Sequence, residues 1–303
     1  MDWFLQQLIN GLALGSIYAL IALGYTMVYG VLRFINFAHA DVLMLGAYSA
    51  YFLAPAITAV VPLPSVTGAL IVTLVSAIIC AGIGILIEFL AYRPLRARPK
   101  LTVLITAIGV SLFIEFTCQH KAVFGADTKP FPKLLPATDF NMGGLVVSSN
   151  DLIVVLVTAI LLAAMWFIVQ RTKMGTAMRA VSFNQQAAAL MGVNINRIIS
   201  FTFGLGSALA AVAGILYALK APGIEPLMGV QPGLRAFVAA VLGGIGNLPG
   251  AALGGLLLGL LETFAGGISG LSNYRDGIAF AILILILLFK PAGLLGKSTV
   301  EKV

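Results

Sequence analysis

The side chains of this chain that could do chemistry are polar and ionisable groups set inside or between long apolar runs. One group is Ile35-Asn36-Phe37-Ala38-His39-Ala40-Asp41, which follows Arg33 and has apolar sequence on both sides. Ionisable groups near membrane depth are costly and mark either a conduction path or an internally paired site. Two readings stand. Asn36 or Asp41 caps the next helix in an interfacial loop, or the segment interrupts a helix and Asn36, His39 and Asp41 line a path. A second group is the glycine series Gly243, Gly244, Gly246, Gly250, Gly254, Gly255 and Gly259, interrupted by Asn247 and Pro249. The spacing of four places Gly246, Gly250 and Gly254 on one helix face, where another helix packs closely. The break at Gly243, Gly244 and Asn247 frees backbone groups that lipid cannot satisfy, so it must face protein or a water-lined cavity. Its likeness to the first break points to paired discontinuous helices in two related halves.

Enzymatic chemistry finds no foothold. His39 and His120 stand apart from each other, and no nucleophile, base and orienter assemble into a set, so neither a metal nor a cofactor is expected. Gly296-Lys297-Ser298 imitates the end of a phosphate-binding loop, but Pro291 stands where that loop needs glycine. Three acids fall in or near apolar runs. Glu88, close to Tyr92 and Arg93, is expected to snorkel to an interface. Glu115 is expected near the opposite face, and Glu262 in a structural ion pair with Arg235 or Arg275.

The elements that must carry these residues are membrane helices. Mean hydropathy is +1.05, and only 10% of residues are charged, against about 25% in a soluble domain. Eight apolar runs occupy 7–32, 41–60, 66–90, 101–120, 151–170, 200–219, 234–265 and 276–290. They lack the alternation of barrel strands, so the expected fold is all-α and polytopic, with about eight to ten transmembrane or re-entrant helices in one domain, 1–303. Cys80 and Cys118 lie within these runs, and no disulfide is expected.

The net charge of +7 does not mark a nucleic-acid surface. Arg93, Arg96, Arg98 and Lys100 share one acid-free connection, and Arg171, Lys173, Arg179 and Arg197 share another. That concentration reads as positive-inside bias and assigns both connections, with the tail bearing Lys290, Lys297, Glu301 and Lys302, to the cytoplasm. The stretch 121–150, with mixed charge and prolines 130, 132 and 136, is then extracytoplasmic, as is the N-terminus. This topology closes only if 234–265 crosses twice or dips and returns.

The loop 171–199 contains Asn184-Gln185-Gln186-Ala187-Ala188-Ala189-Leu190-Met191-Gly192. Ala188, Leu190 and Met191 before a glycine stop indicate a short surface helix, which either lies on headgroups or docks into a partner. The segment resembles the coupling loop of ATP-binding-cassette importer permeases, a Glu-Ala-Ala stretch followed shortly by Gly that inserts into an ATPase subunit. Together with Ile35 to Asp41, Tyr92-Arg93-Pro94, Ala240 to Gly246 and Pro291-Ala292-Gly293, it makes the chain similar over its whole length to the LivH-type permease of branched-chain amino acid uptake. The resemblance implies several things. The chain is a non-enzymatic permease subunit of the bacterial inner membrane carrying leucine, isoleucine or valine. Its partners are a second homologous permease, two cytoplasmic ATPases and a periplasmic binding protein. Asn184, Ala188, Leu190, Met191 and Gly192 form the ATPase contact. One departure matters: Phe183 and Asn184 stand where acids are common, so docking must rest on apolar contact. Urea or short amides are the alternative cargoes, and a self-sufficient channel or secondary carrier is the alternative class.

Overall fold

An apolar helix without a polar face needs protein on every side if it is not to face lipid. The first helix, α1 (Asp2–Leu32), is of this kind, and its small residues let neighbours approach closely. In the computed structural model, which describes residues 2–96, 98–268, 270 and 274–296, α1 is the central post of a helical bundle. It ends at Arg33, whose left-handed backbone (φ 55°) turns the chain into the segment before α2 (His39–Thr58). Then come α3 (Val66–Ile87), continued by a π-helical turn over Glu88–Tyr92 and a 3-10 turn over Arg93–Leu95, and α4 (Lys100–Gln119). Next are α5 (Ser149–Arg171), α6 (Lys173–Phe183), α7 (Gln185–Leu190) and α8 (Ile195–Lys220). The chain closes with α9 (Val230–Gly243), α10 (Leu248–Gly267) and α11 (Arg275–Phe289).

Among the described residues, seven helices are long and apolar enough to cross a membrane, and α9 and 280–289 of α11 are shorter apolar helices. The fold is therefore a polytopic all-α membrane protein, as the apolar runs predict. Burial sorts the helices. The most apolar window is 89% buried in α1 and 78% in α8, but 17% in both α4 and α5, so the former are core and the latter present their flanks outward.

Two polar tethers fix how α1 runs. At its start, the Gln6 amide donates to Val146 O and accepts from Val146 N, both at 2.9 Å, tying α1 to 121–150. At its end, the Arg33 guanidinium donates to Ser182 O at 3.2 Å and the Ser182 hydroxyl donates to Gly30 O, tying it to 171–199. We call these the strand end and the basic end. The strand end carries two small antiparallel pairs that the sequence does not announce: β1 (Lys129–Pro130) with β4 (Gly223–Ile224), and β2 (Asp139–Met142) with β3 (Leu145–Ser148).

The run 234–265 does return on itself. α10 lies antiparallel to α1, since a Cβ at Gly11, Gly15 or Gly255 would meet Leu260, Leu256 or Ala19 respectively, and one at Gly30 would approach Gly246. α9 therefore descends to the basic end and α10 climbs back. The tail follows the descending helix: Leu294 N donates to Leu242 O (2.8 Å) and Leu295 N to Gly243 O (3.0 Å). Lys297, Glu301 and Lys302 lie outside the described residues.

Candidate functional site

The segment joining α1 to α2 is buried rather than interfacial: Asn36, His39 and Asp41 are 4%, 1% and 2% exposed. Neither Asn36 nor Asp41 caps α2. The cap residue is Ala38, whose side chain accepts nothing, and the Asn36 Oδ1 instead accepts from the Tyr92 hydroxyl at 2.6 Å. The chain can enter the bundle here because glycines make room. A Cβ at Gly24 would meet the His39 ring, one at Gly229 the Ala40 carbonyl, and one at Gly233 the Ala40 side chain. The His39 ring also lies tilted over Tyr25 at 4.7 Å. Buried polar atoms are nearly always satisfied, yet His39 Nε2 and Asp41 Oδ2 have no hydrogen-bond partner among the described residues. Ser111 and Glu115 of α4 are the polar neighbours that Asp41 faces. The cluster thus holds a histidine, a carboxyl and a carboxamide together inside the bundle.

The second break is built differently. Gly243 packs against the Gly250 carbonyl and Gly254 against that of Ala239, which holds α9 and α10 at backbone contact. Gly244 (φ 104°) faces Gly296 and Ala292 of the tail. Asn247 caps α10, its Oδ1 accepting from Gly250 N at 3.3 Å, and its amide donates to Leu295 O at 2.7 Å. Gly246 precedes α10, has a left-handed φ of 94° and is exposed, so it does not share a packing face with Gly250 and Gly254. That expectation is corrected: the four-residue spacing runs across a turn. Gly255 and Gly259 face α1 instead, against Ala19 and Gly15. The two breaks thus do not merge into one cluster. The segment before α2 meets α9 through Phe37 and Phe237 (6.4 Å), while Gly246 approaches Gly30 of α1.

The loop 171–199 folds as two helices. Asn184 closes α6 and caps α7, its Oδ1 accepting from Ala187 N at 3.0 Å, a role sequence reasoning missed because the residue drew notice only as a lost acid. Gly192, with φ 83°, ends α7 in the left-handed form that favours glycine. Leu190, Met191 and Phe183 are 89%, 84% and 88% exposed, whereas Ala188 is 4% exposed and packs inward.

Two ionic clusters sit at the helix ends. Glu262 is 2% exposed; one oxygen meets Arg235 at 2.8 Å, the other accepts from the Tyr18 hydroxyl at 2.8 Å, and Arg275 stands 3.8 Å away. The structural ion pair expected for Glu262 is present. Glu88 departs from its expectation. It does not snorkel but is fully buried, paired to Arg93 at 2.9 Å and to Arg96, and accepts from Ser200 at 2.7 Å. The π-helical turn causes this by bringing Arg93 back over Glu88, a local register that periodicity does not reveal.

Residues 7–287 match the family described as "Branched-chain amino acid transport system / permease component". The chain is 44% identical, over 99% of its length and 98% of the other's, to the high-affinity branched-chain amino acid transport system permease protein BraD of Pseudomonas aeruginosa. It is 40% identical, with the same coverage, to the permease protein LivH of Escherichia coli. A weaker likeness, 32% over 43% of this chain, links it to the ribose import permease protein RbsC of Haemophilus influenzae. No solved structure matches it.

Proposed function

This chain belongs to the family of branched-chain amino acid transport permease components, and from that membership we propose how it works. It is the membrane-spanning permease subunit of an ATP-binding-cassette importer, passing leucine, isoleucine or valine across a bacterial inner membrane. The similarity to BraD and LivH, 44% and 40% identical over nearly the full length of each chain, carries this reading. The chain performs no chemistry of its own. ATP hydrolysis belongs to two cytoplasmic ATPase subunits, a second homologous permease completes the pore, and an extracytoplasmic binding protein delivers the cargo.

The buried polar break Asn36 to Asp41 supports a role in lining the path, because unsatisfied groups at membrane depth suit a transient polar guest. The turn at Gly243, Gly244 and Asn247 contributes as the hinge region between α9, α10 and the tail. Phe183, Leu190 and Met191 form an apolar knob on a capped helix, suited to a groove on an ATPase. Such docking needs no acid at 183 or 184, and Asn184 shapes the knob by capping. ATP-driven closure of the ATPases then moves α7 as a rigid body and alternates access.

Reconstitution into proteoliposomes with the second permease, both ATPases and the delivery protein tests this. Accumulation of labelled leucine, isoleucine or valine should require ATP and the delivery protein. Uptake by this subunit without any ATPase would overturn the reading, and accumulation confined to urea or short amides would overturn the cargo.

A further inference from the structure

We propose that the π-helical turn Glu88–Tyr92 is the joint that carries movement of α7 to the break before α2, with Glu88 and Tyr92 as its positioning residues. The inference rests on α7 being the ATPase contact. Its own support is two sets of short polar contacts made from one helical turn, Glu88 toward the start of α8 and Tyr92 toward the break.

On the α7 side, α8 begins at Ile195, three residues after Gly192, and side chains of its first two turns reach the turns that continue α3. Asn196 accepts from Arg96 at 2.7 Å, and the Ser200 hydroxyl donates to Glu88 at 2.7 Å while accepting from Arg93 at 2.8 Å. Glu88 is 0% exposed and receives both Arg93 nitrogens, at 3.2 and 2.9 Å, besides Arg96. A buried carboxylate held by two guanidiniums and a hydroxyl cannot shed a partner cheaply, so the start of α8 and the end of α3 move together.

On the path side, the last residue of the same turn is Tyr92, also 0% exposed. Its hydroxyl donates to Asn36 Oδ1 at 2.6 Å, and its ring stands edge-on to Phe34 at 5.2 Å. Asn36 is three residues before His39, so the grip falls on the break itself. The π geometry is what lets one turn hold both ends. In an α-helix, residues five apart project about 140° from each other. Here the Arg93 N–H bonds to Glu88 O and the two side chains meet on one face. π turns inside helices occur mostly at functional sites, which suits a joint placed between α8 and the break.

The test uses the full reconstituted complex and reads amino acid transported per ATP hydrolysed. Tyr92→Phe removes only the hydroxyl. It should assemble normally and keep ATP hydrolysis stimulated by the delivery protein, yet lose about fivefold in transport per ATP, the worth of one buried hydrogen bond. Asn36→Ala should cost the same, and the double variant no more than either alone. Glu88→Gln should uncouple in the same sense, and should it assemble poorly Tyr92→Phe, outside the path-lining break, still decides. An unchanged ratio in Tyr92→Phe overturns the joint, as does a loss of both activities in step with assembled complex. Leu190→Glu serves as the reference. If it leaves the ratio unchanged, α7 is not the ATPase contact. If it uncouples and Tyr92→Phe does not, only the joint has failed.

Discussion

Glu262 meets Arg235 of α9 at 2.8 Å through one oxygen and the Tyr18 hydroxyl of α1 at 2.8 Å through the other, inside the protein at 2% exposure. Breaking a buried pair leaves a charge without compensation, which costs about 3 kcal/mol. Glu262→Gln should therefore lower the amount of folded permease in the membrane and its unfolding temperature in detergent, while transport per assembled complex is kept. Because removing both partners is often close to neutral, Glu262→Leu with Arg235→Leu should recover much of that abundance. Normal abundance with selective loss of transport would instead make Glu262 part of the path. Gly24 poses a steric case: a Cβ there would fall on the His39 ring. Gly24→Ala should destabilise by about 1 to 3 kcal/mol, read by thermal unfolding, and His39→Ala should relieve part of that cost; full stability of the single variant would contradict the packing. The Glu262 pairing was legible in the sequence because its cations flank the same apolar runs. The Glu88 cluster was not, because nearness to a helix end suggested solvent while the π turn and the distant Ser200 enclosed it.

Among elements, α7 separates backbone from surface effects. A Cβ at Gly192 meets nothing within 4 Å, so Gly192→Ala acts only through its left-handed φ of 83°, a penalty of about 1 kcal/mol. Leu190→Glu with Met191→Glu leaves the helix intact but charges the knob. The paired glutamates should abolish coupling, with hydrolysis no longer accompanied by transport, whereas Gly192→Ala should weaken it mildly; transport per ATP in reconstituted complex checks both. Equal effects from the two would show that helix shape rather than surface makes the contact. The long helices were legible from the apolar runs, and the return of 234–265 from charge placement alone, since the tail could not otherwise reach the basic side. The inward turn of Ala188 escaped notice because six helical residues are too few for a periodicity to show a face. The strand pairs escaped because two to four residues each carry no alternation worth reading.

For the molecule as a whole, sidedness follows from which ends meet. α1 begins beside Val146 and ends beside Ser182, α10 runs against it, and the tail lies on Leu242 and Gly243 at the basic end. α9 has only 14 residues, about 21 Å of rise against a hydrocarbon core of about 30 Å. It completes a crossing only because its start is sunk into the bundle beside Ala40, with 221–229 filling the distance to the strand end. If the basic end is cytoplasmic, as positive-inside bias requires, exposed positions divide cleanly. Phe140 on β2 and Phe183 at the end of α6, 50% and 88% exposed, stand at opposite ends, and Leu295 stands with Phe183. Native Cys80 and Cys118 are buried and should give little background with a membrane-impermeant maleimide. Phe140→Cys should label in intact spheroplasts, and Phe183→Cys and Leu295→Cys only in inverted vesicles. Labelling of Leu295→Cys with Phe140→Cys would mean that α9 and α10 do not both cross, and that the turn at Gly243 to Asn247 ends inside the bundle rather than at the face where α7 waits.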